Sequence, residues 1–124
     1  MTAPSGQKPS LGIVAISFNE QQDIAGFLDN LLGWVDEIVI VDDGSTDETE
    51  DLCLAAGPKV RFMKMPRADG EYFSDQRNKG IRAAQSDWLL HMDIDERVPP
   101  ELAREILRAI RAPNFDGNRF RRKN

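Results

Sequence analysis

Soft metal ligands are almost missing from this chain, which holds a single cysteine, Cys53, and a single histidine, His91. One cysteine excludes an internal disulfide, and with so few partners it argues against a zinc site. Cys53 lies in an amphipathic stretch and reads as a small core residue. His91 lies within a short apolar run and reads as packed rather than ligating. Long apolar runs are missing too. None approaches the ~18 residues that a membrane span requires, and residues 1–10 lack the apolar centre of a signal peptide. The expected location is therefore cytoplasmic. There is no internal repeat and no low-complexity tract. What is there, 124 residues with 40% apolar and 30% charged side chains, suits one soluble domain that buries roughly two-thirds of its unfolded surface.

Basic residues are absent where acids are densest. Residues 36–51 carry eight acids and no base, whereas residues 97–124 carry eight bases and three acids, within a net charge of -5. Acids crowd one another unless a cation offsets them, so the acidic stretch is a candidate metal locus. A solvated helix face accounts for Asp47, Glu48, Glu50 and Asp51. It does not account for Asp42 and Asp43, which follow Ile38-Val39-Ile40-Val41 directly. That run is too short for a helix and too continuous for a strand with one wet face, so it reads as a buried parallel strand. Its carboxyl end is the edge of an open α/β sheet, where ligands bind. Gly44 permits a sharp exit, and Ser45-Thr46-Asp47-Glu48 matches a Ser-x-x-Glu capping box expected to open the next helix.

Residues 1–10, with Pro4, Gly6 and Pro9 among small polar residues, are expected to be a disordered lead-in, leaving one domain over residues 11–124. Leu11 to Ser17 reads as the first strand. Ile24, Phe27, Leu28, Leu31 and Leu32 then form the apolar stripe of a helix ending near Gly33. The helix after Glu48 runs to Ala56, with Leu52, Cys53 and Ala56 inward, and Gly57-Pro58 stops it. Val60 to Met65 is a third strand. The loop from Pro66 to Phe73 is longer than connectivity requires. Ser74 can cap a helix to Ala84 that carries Gln76, Arg77, Asn78 and Lys79. Trp88 to Met92 is a fourth strand, and Pro99-Pro100 opens a helix with Leu102, Ile106, Leu107 and Ile110 inward. Asn118 to Arg122 has the alternation of a strand beginning.

Strands and helices alternate four times, which predicts an α/β fold: a Rossmann-like, doubly wound, mostly parallel sheet. In such a sheet all carboxyl ends share one edge. Phe18-Asn19-Glu20, Asp42-Asp43 and Asp93-Ile94-Asp95 each follow a strand, so three motifs distant in sequence converge on one crevice. Asp93 and Asp95 are two residues apart, about 6.6 Å along an extended chain and on one side of it. Both carboxylates can face Mg2+ or Mn2+, which takes one or two carboxylates and fills its shell with water and phosphate oxygens. Capping of the proline-led helix is the plain alternative for this pair. Phe18 is either a platform for a base or a plug in the core. Arg77 either offsets diphosphate charge or is an ordinary surface arginine.

Four stretches in order resemble the motifs of family 2 inverting glycosyltransferases with the GT-A fold: Ser17-Phe18-Asn19-Glu20, Val41-Asp42-Asp43-Gly44-Ser45-Thr46-Asp47, Gln76-Arg77-Asn78-Lys79-Gly80 and Met92-Asp93-Ile94-Asp95-Glu96-Arg97. The closing stretch from Asp95 to Leu102 is similar to members that add glucose or heptose to lipopolysaccharide core. The resemblance implies a nucleotide site in which Phe18 stacks near the base, with Asn19 and Glu20 beside it. Asp43, with Asp42 adjacent, would bond the base, Arg77 would line the pocket, Asp93 would face the ribose and Asp95 the metal. The implied cofactor is Mg2+ or Mn2+. The implied partners are a nucleoside-diphosphate sugar and a glycan or glycolipid acceptor of the cell envelope, with no nucleic acid. Peripheral association with the inner face of a membrane, and self-association, are further expectations.

No residue matches the carboxylate base such an inverting reaction needs, and family members are typically longer. The expectation is therefore an incomplete GT-A domain that binds donor but transfers sugar poorly by itself. Two other readings share part of the pattern. A non-catalytic nucleotide-sugar-binding module would bind without transfer. A phosphoacceptor receiver domain has a similar length and acids at strand ends, but it places its acid pair after the first strand.

Overall fold

The computed structural model describes residues 8–112 and the backbone of residues 121–122. The expected lead-in over residues 1–10 falls mostly outside the described residues. Ser10 is not loose, because its N–H and Oγ both donate to Asp87 Oδ2, at 2.9 and 3.1 Å.

Strands β1 (Leu11–Ser17), β2 (Glu37–Asp42), β3 (Val60–Lys64) and β4 (Trp88–His91) alternate with helices α1 (Ile24–Leu31), α2 (Thr49–Ala55), α3 (Phe73–Ala83) and α4 (Pro100–Ile110). A two-residue strand β5, Arg121–Arg122, follows. The sheet order is β3-β2-β1-β4-β5. The first four strands are parallel, and β5 runs antiparallel to β4, pairing Trp88 with Arg122 and Leu89 with Arg121. The doubly wound, mostly parallel sheet expected from the alternation is therefore present. Of the expected fifth strand, residues 118–120 lie outside the described residues. A receiver domain has strand order 2-1-3-4-5, so the sheet order removes that reading.

Ile38, Val39, Ile40 and Val41 are all fully buried, because helices cover both faces of their strand. On one face α1, α2 and α4 pack Phe27, Leu31, Cys53 and Ile106 against Ile13, Ile38 and Ile40. On the other face α3 covers Val14, Val39, Val41 and Leu89. Gly80 lets α3 come close: a Cβ there would lie 2.6 Å from Val14 Cγ1 and 3.0 Å from Val41 Cγ2. Cys53 is a core residue as expected, and burial, with Asp42 and Glu50 adding, pushes its thiol up to about 12. Such a thiol is inert at neutral pH.

Three local expectations need correction. Ser45 does not cap α2, which begins at Thr49; its hydroxyl donates instead to Asp42 Oδ1, and Asp47 accepts from the N–H and Oγ1 of Thr49. Ser74 lies inside α3, whose N-cap is Tyr72, and Asp75 Oδ2 accepts from the Tyr72 N–H at 2.8 Å. Leu102 is exposed, because the inner face of α4 runs through Ala103, Ile106 and Ile110, one position around the helix. Pro100 does occupy the first turn of α4.

Candidate active site

Register places the site. Ser17 stands opposite Asp42, and Asp42 opposite Lys64, so β1, β2 and β3 end level. His91, the last residue of β4, stands opposite Val14, so β1 runs three residues further. A step is left between β1 and β4. It lies where the strand order reverses, the place where open α/β sheets hold ligands.

Two turns at this edge are stapled together. Asn19, at φ +50°, donates its N–H to Ser45 Oγ and accepts the Thr46 N–H at Oδ1, both at 2.8 Å. Glu20 N–H donates to Thr49 Oγ1, also at 2.8 Å. Asp42 is fully buried. Its Oδ1 accepts from Ser17 Oγ (2.5 Å) and Ser45 Oγ (2.6 Å), and its Oδ2 from the N–H groups of Gly44 (3.0 Å) and Ser45 (2.7 Å). Four donors hold a carboxylate that has no open side, so Asp42 shapes the turn and presents Asp43. The base contact implied for Asp42 has no surface on which to occur.

Asp43 sits between three elements. Its Oδ1 accepts from the Arg67 N–H and from Gln76 Nε2, both at 2.8 Å, and its Oδ2 from Arg67 Nε at 3.3 Å. Burial works against the charge, but these donors and the Arg67 guanidinium outweigh it and hold the carboxyl below its usual range. Gln76 is fully buried, its Nε2 also donates to Met65 O at 3.1 Å, and its Oε1 has no partner. The Arg67 guanidinium lies 4.0 Å from the centre of the Phe73 ring.

The step between β1 and β4 is a cleft of about 360 Å³ floored by Ile16 and Ser17. Phe18 and Glu20 line it from β1, Phe73 and Arg77 from α3, and His91 and Asp93 from β4. Phe18 is 53% exposed, which rules out the core plug. The structure thus gathers Phe18, Glu20, Arg77 and Asp93 in one cavity, with Asp43 and Asp95 outside its walls. Asp95 is exposed beyond buried Ile94, in a turn closed by the Asp93 N–H on Glu96 Oε1 at 2.7 Å. Its charge still reaches the cleft. The Glu20 carboxyl is raised by burial and then by Asp23, Asp95, Asp47 and Asp93.

His91 is a further correction: it is exposed at the cleft rather than packed. Burial and the Arg77 charge lower its pKa against the pull of Asp93 and Glu96. Roles for Phe73 and Arg67, and the place of His91 at the cleft, are not evident in the sequence. Two signals point to Phe73 and His91 in hindsight. Phe73 and Arg77 are four apart on a helix and share a face; His91 and Asp93 are two apart at a strand end.

An acid-rich crevice suits a divalent cation held partly by a ligand. Among the described residues no three His, Cys, Asp or Glu side chains converge closely enough to hold a metal unaided. Asp93 and Asp95 supply two hard oxygen donors, a number that fits Mg2+ or Mn2+ when phosphate and water complete the shell.

Fold and crevice together define an open α/β domain with a cleft at its strand-order reversal. Residues 12–124 match the Glycosyl transferase family 2, and the chain belongs to that family. The succinoglycan biosynthesis protein ExoO of Rhizobium meliloti is 32% identical over 112 residues, covering 86% of this chain and 32% of ExoO. Among solved structures, the mannosyltransferase PcManGT of Pyrobaculum calidifontis, in complex with GDP-Man and Mn2+, superposes with a TM-score of 0.71 at 20% identity. That superposition covers 90% of this chain and 34% of PcManGT. TarS of S. aureus gives 0.69 at 20% identity, covering 82% and 32%. These likenesses establish the GT-A fold, and the chain spans about a third of the length of ExoO.

Proposed function

We propose that this chain is the donor-binding part of an inverting, metal-assisted sugar transferase that takes a nucleoside-diphosphate sugar and serves a cell-envelope glycan or glycolipid acceptor. The observation that carries the reading is the meeting of Phe18, Glu20, Arg77 and Asp93, from three strand-end or helix motifs, in one cleft at the β1/β4 step. Family membership and a nucleotide-sugar and Mn2+ in the PcManGT complex support it.

Phe18 offers an exposed ring for a base. Asp43 Oδ1 already accepts two bonds, whereas Oδ2 accepts one long one, so Oδ2 is the free acceptor for a base N–H. An ionised carboxylate only accepts. Uracil and guanine, which carry an imino N–H, suit it better than adenine or cytosine, whose corresponding ring nitrogens are acceptors. Arg77 supplies positive charge within the cleft, and Asp93 an acceptor for ribose hydroxyls. Asp95, with Asp93 beside it, would hold the divalent cation. When bound, the cation stabilises the negative charge that develops on the leaving diphosphate. The catalytic base is not assigned to any residue of this chain.

Calorimetric titration with UDP and GDP, in Mn2+ and in EDTA, tests the reading. Binding should be much tighter in Mn2+, and Mn2+ without nucleotide should bind weakly. Equal affinity in both buffers contradicts metal assistance. A sugar-transfer assay on a protein of the relatives' length then separates an enzyme from a non-catalytic binding module.

A further inference from the structure

Arg97 follows the acidic turn and makes no ion pair with the acids around it among the contacts described. Its Nη1 donates to two carbonyls, Ile94 O at 2.7 Å and Glu96 O at 2.8 Å. Its Nη2 donates to Asp23 O at 3.0 Å, at the entry to α1. The two carbonyls taken by Nη1 belong to the residues on either side of Asp95. One guanidinium therefore grips the backbone before and after Asp95 and ties it to a helix 74 residues away in sequence.

The opposite side of this contact is shaped for it. Gly26 of α1 lies beneath the guanidinium, and a Cβ there would come within 2.9 Å of Arg97 Nη2. The turn is closed from inside by Glu96, whose carboxylate accepts the Asp93 N–H, and Ile94 is buried below it. With the peptide before Asp95 and the peptide after Glu96 both held by one guanidinium, the Asp95 side chain leaves the backbone in a restricted direction. Groups that orient metal ligands act in this way without touching the metal. Lysine is a poor substitute, because a single ammonium on a flexible stem does not reproduce a planar fork.

We propose that Arg97 is a positioning residue for Asp95, holding the acidic turn against α1 so that its carboxylate meets the cation brought in with the donor diphosphate. This rests on the donor-site reading above and adds a residue to it. Arg97 also leaves the donor's base end untouched. Its loss should therefore affect the metal-linked part of nucleotide binding and spare the metal-free part.

The test titrates UDP and GDP into the parent chain, Arg97→Ala, Arg97→Lys and Gly26→Ala, each in Mn2+ and in EDTA, with circular dichroism to confirm folding. In Arg97→Ala the advantage that Mn2+ gives should fall roughly ten- to a hundredfold, as for other orienting partners of metal ligands. Affinity in EDTA should stay at the parent level. Arg97→Lys should recover little, millimolar guanidinium added to Arg97→Ala should recover part, and Gly26→Ala should move in the Arg97→Ala direction. Hydrogen exchange supplies a readout without nucleotide: amides of residues 95–97 should exchange faster in Arg97→Ala while β1 and β2 keep their protection. An unchanged Mn2+ advantage, or equal losses in Mn2+ and EDTA, overturns the proposal while leaving the donor-site reading intact. Absence of metal-linked nucleotide binding in the parent overturns both.

Discussion

Removing Asp42 and removing Asp43 should have different consequences, because one carboxylate is saturated inside the fold and the other keeps a lone pair at its edge. Asp42→Ala strands two hydroxyls and two backbone N–H groups. Bonds to charged groups and unsatisfied buried donors make a loss on the order of 3 kcal/mol the expected result, read by urea unfolding. Asp43→Ala should change stability less and nucleotide affinity more. Phe18→Ala, at a ring 53% exposed, should cost about 1–3 kcal/mol of nucleotide binding by analogy with base stacking elsewhere, with unfolding unchanged. Parent-level affinity in both Phe18→Ala and Asp43→Ala would move the base pocket elsewhere. At this scale the sequence displayed Phe18, Asp43 and Asp93, because a polar or aromatic residue directly after a buried apolar run is conspicuous. It hid the roles of Arg67, Gln76 and Arg97, which exist only through groups that folding brings to them, the Asp43 carboxylate for Arg67 and Gln76 and the Asp23 carbonyl for Arg97.

Helix α3 joins packing to the site. Gly80 seats it on Val14 and Val41, and one turn earlier Gln76 and Arg77 reach Asp43 and the cleft. Alanine is a better helix former than glycine by about 1 kcal/mol. Its Cβ would nevertheless lie 2.6 Å from a valine methyl that is almost fully buried, and overpacking costs about 1–3 kcal/mol. The clash should win. Gly80→Ala is expected to lose about 1–2 kcal/mol in urea unfolding and to weaken nucleotide binding by lifting Gln76 and Arg77. A stabilised Gly80→Ala protein with parent affinity would show that α3 is not held by this contact. The element boundaries were largely legible, since period and punctuation mark them. The α2 cap was not: Ser45 has the residue type for a cap, but the buried Asp42 competes for its hydroxyl and wins.

For the molecule as a whole, the acids at the sheet edge make stability depend on pH in two opposed ways. Glu20 is raised, so its contribution is complete below the 4.5 of an ordinary glutamate and is lost as pH rises through its folded value. Asp43 is lowered, so its contribution is present above 3.8 and disappears as pH falls through a folded value beneath that. Moving from neutral pH towards 4.5 should therefore relieve Glu20 before Asp43 is touched. Glu20→Gln is expected to raise the melting temperature at neutral pH and to leave it near the parent value close to pH 4.5. An equal effect at both pH values would show that repulsion at Glu20 is not the cause.

No helix among the described residues is long and apolar enough to cross a membrane, in keeping with the absence of long apolar runs in the sequence. By itself the sequence determined the alternation of strands and helices, the buried character of β2 and the acids and aromatic at the strand ends, because periodicity and residue type are local quantities. Only the tertiary structure decided that β4 stops three residues short of β1 and opens the cleft, that Asp42 is sealed while Asp43 is offered, and that Arg97 ties the carbonyls of Ile94 and Glu96 to the entry of α1. Those outcomes depend on register between strands and on which donor reaches which acceptor first, and neither is written in the order of residues along one segment.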